Sequence, residues 1–335
     1  MKLAIDIMGG DNAPIAILDG VRLALENPAF DGSLQLYGDA KVIEQYFDTH
    51  KISKSRCTIH PTTQIIGFDE HPTAAIRAKK DSSIVRAIRA VAEGEADCVV
   101  SAGSTGALLT GATLIIKRQA GVLRPALSSM LPTMAGGRVL LLDCGANADS
   151  KPEYIAQFAR MGHAYMRQFC HIESPKVALL SNGTEAEKGS ELIKAAHELL
   201  KADTLLNFQG NTEARDLLAG HADVIVADGF SGNIALKASE GAAAGVMGLL
   251  KTALSSSLRA KLGAALAMPA LRGMKRSMDY TEYGGGALLG VRGGVLKVHG
   301  SAQGKTFAYA ILQAVELCRS GVVGAIGELL RGHAD

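Results

Sequence analysis

Five short turns in this chain combine glycine with hydroxyl, amide or carboxylate side chains. They are Met8-Gly9-Gly10-Asp11, Ser101-Ala102-Gly103-Ser104-Thr105-Gly106, Asp143-Cys144-Gly145-Ala146-Asn147, Ser181-Asn182-Gly183-Thr184 and Asp228-Gly229-Phe230-Ser231-Gly232-Asn233. Glycine lets backbone approach a ligand closely, and a helix starting just beyond it offers unpaired N–H groups at a positive dipole end. That pairing suits an anion, phosphate above all. A single such turn is ordinary loop chemistry. Five of them, each behind an apolar strand-like run, predict one shared crevice. Cations lie nearby in Lys79, Lys80, Lys188 and Lys237, although any one of them reads more readily as a solvated surface residue. Asp6 is an acid inside an otherwise apolar strand and needs a partner, either to tie down a loop or to face a site.

The elements that must carry these turns alternate. Strands are predicted at Lys2–Met8, Leu34–Gly38, Arg56–His60, Asp97–Ser101, Val139–Asp143, Lys176–Ser181, Leu205–Gly210, Val224–Asp228 and Val295–His299. Helices are predicted at Ala40–Thr49, Pro72–Glu93, Pro152–Cys170, Glu185–Lys201 and Gln303–Arg319. Alternation of this kind predicts a three-layer α/β/α sandwich with a largely parallel central sheet, with ligands beyond the carboxyl ends of its strands. No repeat or low-complexity linker divides residues 1–335, which are expected to form one unit.

Composition narrows the function. With no Trp, 4% aromatics and a net charge of +2, there is no stacking platform or basic excess for nucleic acid. The five cysteines form no C-x-x-C pair, the chain opens directly on a strand pattern, and no apolar run reaches the ~20 residues that span a bilayer. A reducing cytoplasm is expected. Gly300-Ser301-Ala302-Gln303-Gly304-Lys305-Thr306 imitates a nucleotide P-loop but has three residues between its glycines where four are needed. Gly229-Phe230-Ser231-Gly232 falls one residue short of a hydrolase elbow. No G-x-G-x-x-G and no metal-ligand spacing are present, so neither a cofactor nor a metal is expected.

Residues 241–278 read differently. Leu250, Leu254, Leu258, Leu262 and Leu266 recur every four residues, the spacing of one helical face. Lys251, Arg259, Lys261, Arg272, Lys275 and Arg276 give the same segment six cations with no acid between them. A projecting basic amphipathic helix of this kind fits an anionic membrane or an acidic partner, and equally a core or dimer helix with a solvated face.

In sequence the chain closely resembles the bacterial phosphate acyltransferases of phospholipid synthesis. The likeness covers essentially the whole chain. It is carried by Asp6–Pro14, Ser101–Ala107, Leu142–Asn147, Gly210–Asp216, Asp228–Lys237, Tyr283–Gly290 and His299–Ser301, in order. Ser104 stands where the family usually has Asn, and Gly286-Ala287 replaces a more usual Ala-Pro or Ala-Ser. The resemblance implies transfer of a long acyl chain from acyl carrier protein to inorganic phosphate. It also implies a homodimer with a fold like phosphotransacetylase and isopropylmalate dehydrogenase. Members are cytoplasmic yet peripherally membrane-associated, and pass acyl phosphate to a membrane glycerol-3-phosphate acyltransferase.

Such chemistry needs no triad, because phosphate is a nucleophile and a thioester has a good leaving group. Positioning and oxyanion stabilisation suffice. Ser101, Ser104, Thr105 and Asn147 are then expected around the phosphate or the carbonyl. Gly9, Gly10, Asp11, Gly103, Gly106, Gly183, Thr184, Ser231, Gly232 and Lys237 complete the substrate contacts. Lys188 is the expected catalytic cation, Asn182 and Asn233 the polar donors, and Asp6 and Asp228 the loop orienters. Leu254, Leu258, Arg259, Lys261 and Leu262 are the expected contacts to membrane or carrier protein. Two other functions fit the same sequence: an NAD(P)-dependent decarboxylating dehydrogenase, and a non-catalytic membrane-peripheral scaffold. The first would need NAD binding; the second leaves the five turns unexplained.

Overall fold

The computed structural model describes residues 1–277 and 284–331. In chain order the elements begin β1 Lys2–Asp6, α1 Ile15–Glu26, β2 Ser33–Gly38, α2 Ala40–Thr49, β3 Cys57–Pro61, α3 Pro72–Ala78, α4 Ser83–Ala92, β4 Cys98–Ser101 and α5 Thr105–Gly111. They continue through β5 Ala126–Pro132, β6 Arg138–Leu142, α6 Pro152–Cys170, β7 Lys176–Ser181, α7 Glu191–Ala202, β8 Asn207–Glu213, β9 Val224–Val226 and α8 Gly229–Ser255. The last are α9 Leu258–Ser277, β10 Gly286–Leu289, β11 Gly294–Lys297, α10 Gly304–Arg319 and α11 Val322–Arg331.

All the strands join one sheet in the order β3-β2-β1-β4-β11-β10-β5-β6-β9-β7-β8. Three pairings, β11–β10, β10–β5 and β5–β6, are antiparallel, and the others are parallel. The parallel half that ends at β11 therefore runs opposite to the parallel half that begins at β6.

Period-two alternation separates the faces. Leu3 and Ile5 of β1, Cys98 and Val100 of β4, Leu140 and Leu142 of β6, and Val177 and Leu179 of β7 enter one continuous core with α1, α2, α6, α7, α10 and α11. The opposite face carries two separate cores. Ala4, Val99 and Val295 pack under α3, α4 and α5, while Val139, Leu141 and Ile225 pack under the start of α8. Between those two helix groups the middle strands are left open to a cleft.

Several sequence expectations change. Strands β5 and β10 were not anticipated, since Ala126-Leu127-Ser128-Ser129-Met130-Leu131 mixes apolar and hydroxyl residues without strict alternation. The single helix expected over 72–93 breaks at Lys79–Ser82, where Ser82 bridges to Gln64 and the Asp81 carboxylate takes both the N–H and the hydroxyl of Thr63. The helix expected from Glu185 starts only at Glu191, capped by the Ser190 hydroxyl behind Gly189 at φ +106°. Lys188 is thus on an exposed turn, not on a helix.

The projecting segment is a helical pair. Beyond Glu240, α8 leaves the body: Cβ atoms placed on Gly241, Gly245 or Gly248 would meet nothing within 4 Å. The chain turns at Ser256-Ser257 and α9 packs back on α8. That turn splits the leucine series. Leu250 and Leu254 are half-buried in line with Ala243 and Met247, whereas Leu258, Leu262 and Leu266 are 81%, 69% and 87% exposed. Five leucines on one face would have required one unbroken helix. Lys251, Arg259 and Lys261 are exposed as expected. The side chains of Arg272, Lys275 and Arg276, together with Met278 and Tyr283, lie outside the described residues. Among the described residues, no single helix is long and apolar enough to cross a membrane.

Candidate active site

Three neighbouring strands place a polar side chain on the cleft face at their carboxyl ends: Asp6 on β1, Ser101 on β4 and Lys297 on β11. Ser101 and Lys297 are register partners. The Ser101 hydroxyl donates to Asp6 Oδ2 at 2.6 Å and accepts the Gly103 N–H at 3.0 Å. Asp6 is 1% exposed, and burial pushes its carboxyl up against the opposing pull of Ser101, Ser83, the Met8 N–H and Lys297. Lys297 is 9% exposed, and its Nζ donates to the carbonyls of Ala102, at 3.4 Å, and Val298. Burial brings its ammonium down to about 8, with Asp6 and Asp11 pulling the other way.

The first two turns and the His299-Gly300-Ser301 turn close around this row. The Asp11 N–H donates to Gly300 O at 2.9 Å, and Asn12 Nδ2 to Ser301 O at 3.1 Å. Gly9 is obligatory here, because a Cβ would lie 2.2 Å from Asp6 Oδ2 and 2.8 Å from Gly103 N. The Ser301 N–H and hydroxyl both address His299 Nδ1, at 3.3 and 2.9 Å. Accepting that N–H leaves the proton of the neutral ring on Nε2. Burial, Lys237 and Lys297 hold the ring's pKa below the usual histidine value.

Across the cleft, Asp143 is completely buried and gathers four donors. These are the N–H groups of Leu127, Ala146 and Asn147 and the Asn147 side-chain amide, all at 2.8–3.0 Å. The Gly229 N–H then bonds Asn147 O at 3.0 Å, which ties the third turn to the fifth.

Between the two groups lies a cavity of about 280 Å³. One part of its wall is polar, with Thr105, Asn233, Lys237, Lys297, His299 and Thr306. Another is apolar, with Phe68, Leu127, Met130, Leu131 and Leu236. Past α5 and the 144–147 loop, a second cavity of similar volume is lined by Arg77, Thr110, Arg124 and Asn147.

Of the residues singled out from sequence, Thr105, Asn233 and Lys237 line the main cavity. Gly9, Gly10, Asp11, Gly103 and Gly106 belong to the turns that bound it. Several expected donors are engaged by the protein itself. Ser101 is held by Asp6 and Gly103, Ser104 Oγ accepts the Ala107 N–H at 3.4 Å to cap α5, and Asn147 Nδ2 bonds Pro125 O as well as Asp143. The N–H groups of Phe230 and Ser231 go to the Asp228 carboxylate, so the start of α8 is capped rather than open. Gly232 packs against Asp143 O, where a Cβ would come within 2.0 Å. Lys237 pairs with Glu240 at 2.6 Å. The fourth turn is not among the residues lining either cavity: Asn182, Thr184 and Lys188 are exposed, and Gly183 packs on the Lys188 stem.

Lys297, His299, Thr306 and the β5 wall were missed. The signal for Lys297 was present, a lone cation in the apolar run Val295-Leu296-Lys297-Val298, the same oddity that marked Asp6. Gly300 and Thr306, set aside as a failed P-loop, line the cavity without forming one.

A model of the family described as fatty acid synthesis protein matches residues 1–324. The chain belongs to that family. A phosphate acyltransferase of Bacillus licheniformis is 46% identical over 335 residues, covering all of both chains, and one of Streptococcus pneumoniae is 48% identical over 333 residues, 99% of each. A phosphotransacetylase from Streptococcus pyogenes shares the fold, at TM-score 0.63 and 18% identity over 95% of this chain and 94% of that one. Full-length relatives at this identity make this chain an acyltransferase, and the cleft between the half-sheets is its candidate active site.

Proposed function

We propose that the chain transfers an acyl group from the thioester of acyl carrier protein to inorganic phosphate, an early step of phospholipid synthesis. A phosphate oxygen attacks the carbonyl carbon, the C–S bond breaks, and the proton of hydrogen phosphate ends on the departing thiolate. Acyl phosphate and free carrier thiol result. No acyl-enzyme is required, so the protein's task is to hold two reactants together and stabilise charge on the carbonyl oxygen. The observation that carries this reading is the two-sided cavity. Lys297, Thr105 and His299 supply donors on one side; Leu127, Met130 and Leu131 of β5 give apolar lining for the acyl end.

The test is release of carrier thiol by purified protein with and without phosphate. Release that is independent of phosphate overturns the reading. Lys188→Ala is expected to lose less than about tenfold in kcat/KM, roughly 1.4 kcal/mol, because that side chain lies outside the cavity lining. A larger loss would return Lys188 to the reaction.

The exposed apolar residues Val246, Leu249, Leu258, Leu262 and Leu266, beside Lys251, Arg259 and Lys261, support peripheral docking on an anionic membrane. From there acyl phosphate passes to a membrane glycerol-3-phosphate acyltransferase. Leu258→Glu/Leu262→Glu is expected to abolish flotation with anionic liposomes while thiol release in solution stays within about twofold. Unchanged flotation would exclude this face. A homodimer in the cytoplasm completes the reading, checked by light scattering.

A further inference from the structure

We propose that Lys297 is the cation on which inorganic phosphate sits, between Thr105 and His299, and so a catalytic residue for the reaction proposed above, on which this assignment rests. An ammonium has three N–H donors in tetrahedral array. Two of Lys297's are taken by Ala102 O and Val298 O, which fixes the head group on the sheet floor and leaves the third. The residue lines the cavity although nine-tenths of it is buried. A buried ammonium with a spare donor facing a cavity calls for an anion, and in low dielectric its pull on one is strong.

The surroundings fit a small oxyanion. Thr105 opens α5 and offers a hydroxyl at the cavity wall, and His299 presents an Nε2–H once Ser301 has fixed its Nδ1. Lysine serves phosphate as a compact point charge, and the carbonyl brace removes the rotational freedom that makes surface lysines poor anchors. The other charged groups facing Lys297 are Asp6 from β1, Asp11 beyond it, and Lys237 from α8; Glu240 pairs with Lys237. The Asp6 carboxylate is drawn toward Ser101, whose hydroxyl it accepts at 2.6 Å.

Lys188 and Lys237 are the competitors. The first is exposed on a turn outside the cavity lining, and the second is half-exposed and already paired with Glu240.

The experiment compares wild type with Lys297→Met and Lys297→Arg. It measures inorganic phosphate binding by calorimetry without acyl donor, and steady-state KM for phosphate and for acyl carrier thioester. Lys297→Met should weaken phosphate binding and kcat/KM for phosphate by about a hundredfold or more, with the donor KM within threefold. Wild-type affinity for phosphate should fall as pH rises past about 8, where the ammonium loses its proton. Lys297→Arg should bind more weakly at pH 7 yet keep that affinity to higher pH, a readout a structural role would not move. Folded Lys297→Met with unchanged phosphate affinity overturns the assignment, as does an alkaline limb that Lys297→Arg leaves in place. If Lys297→Met does not fold, the arginine variant's pH profile decides. Wild type that binds phosphate through Lys297 without turnover would leave the phosphate site standing but sink the reaction proposed above, and with it the catalytic role of Lys297.

Discussion

Asp143→Ala is expected to cost about 3–5 kcal/mol of folding stability, read as a drop in the urea midpoint at unchanged slope. The carboxylate is completely buried and receives four N–H donors. Removing it orphans the amides of Leu127, Ala146 and Asn147 together. Hydrogen bonds to a charged acceptor are each worth about 1.5–3 kcal/mol, and the half-exposed Ala146 and Asn147 recover part of theirs from water, which sets the lower end. The damage should also reach α8, because Gly229 hangs on the Asn147 carbonyl. Asp143→Asn keeps one acceptor oxygen and should lose about half as much. A loss below about 1 kcal/mol for the alanine variant would mean the 143–147 loop is held by something else.

Gly9→Ala is expected to lower kcat/KM by about a hundredfold, the scale of an ångström-sized misplacement near reacting atoms. The added Cβ would meet Asp6 Oδ2 at 2.2 Å and the Gly103 backbone at 2.8–2.9 Å. Neither can yield cheaply: Asp6 is locked on Ser101, and Gly103 is continuous with Ala102, whose carbonyl braces Lys297. The stability cost should be about 1–3 kcal/mol, typical of overpacking, so activity suffers more than folding. Gly241→Ala is the control. Its Cβ meets nothing within 4 Å, it lies inside α8, and it should be neutral or slightly stabilising. A Gly9→Ala enzyme within threefold of wild type would show that the first turn and the Ser101 turn are not coupled.

Much of the fold could be read from the residues. Apolar runs such as Leu3-Ala4-Ile5 and Val99-Val100 are buried on both faces and reveal themselves as strands by composition alone. What escaped was the middle. Strand β5 carries Ser129 on its more open face and Ser128 on its buried one, where the hydroxyl donates to Ala287 O at 2.9 Å, and β10 begins with glycine because a Cβ on Gly286 would meet Ser128 O at 2.2 Å. The site was half legible for a related reason. Gly-polar turns are visible in any sequence, but which hydroxyls are spent on their own loops depends on neighbours far along the chain. Ser101 meets Asp6 across 95 residues, and Lys297 meets Ala102 across 195. Spacing carries no trace of such pairings. A polar residue ending an apolar strand does, and Asp6, Ser101 and Lys297 each show it. The leucine series misled because its period ignores Ser256-Ser257, where two helix-weak residues let the chain reverse.

The order of strands across the sheet also sets the order in which a nascent chain can be completed. Strands β10 and β11, which stitch the two half-sheets together, follow every other described strand in the chain, yet they sit at the sheet's centre between β4 and β5. Until they arrive, β4 and β5 are bare edges inviting the wrong neighbour. Lys297, carried on β11, therefore takes its place opposite Ser101 only after the strands of both half-sheets have been made, so a chain cut short before β11 lacks the cation proposed to hold phosphate.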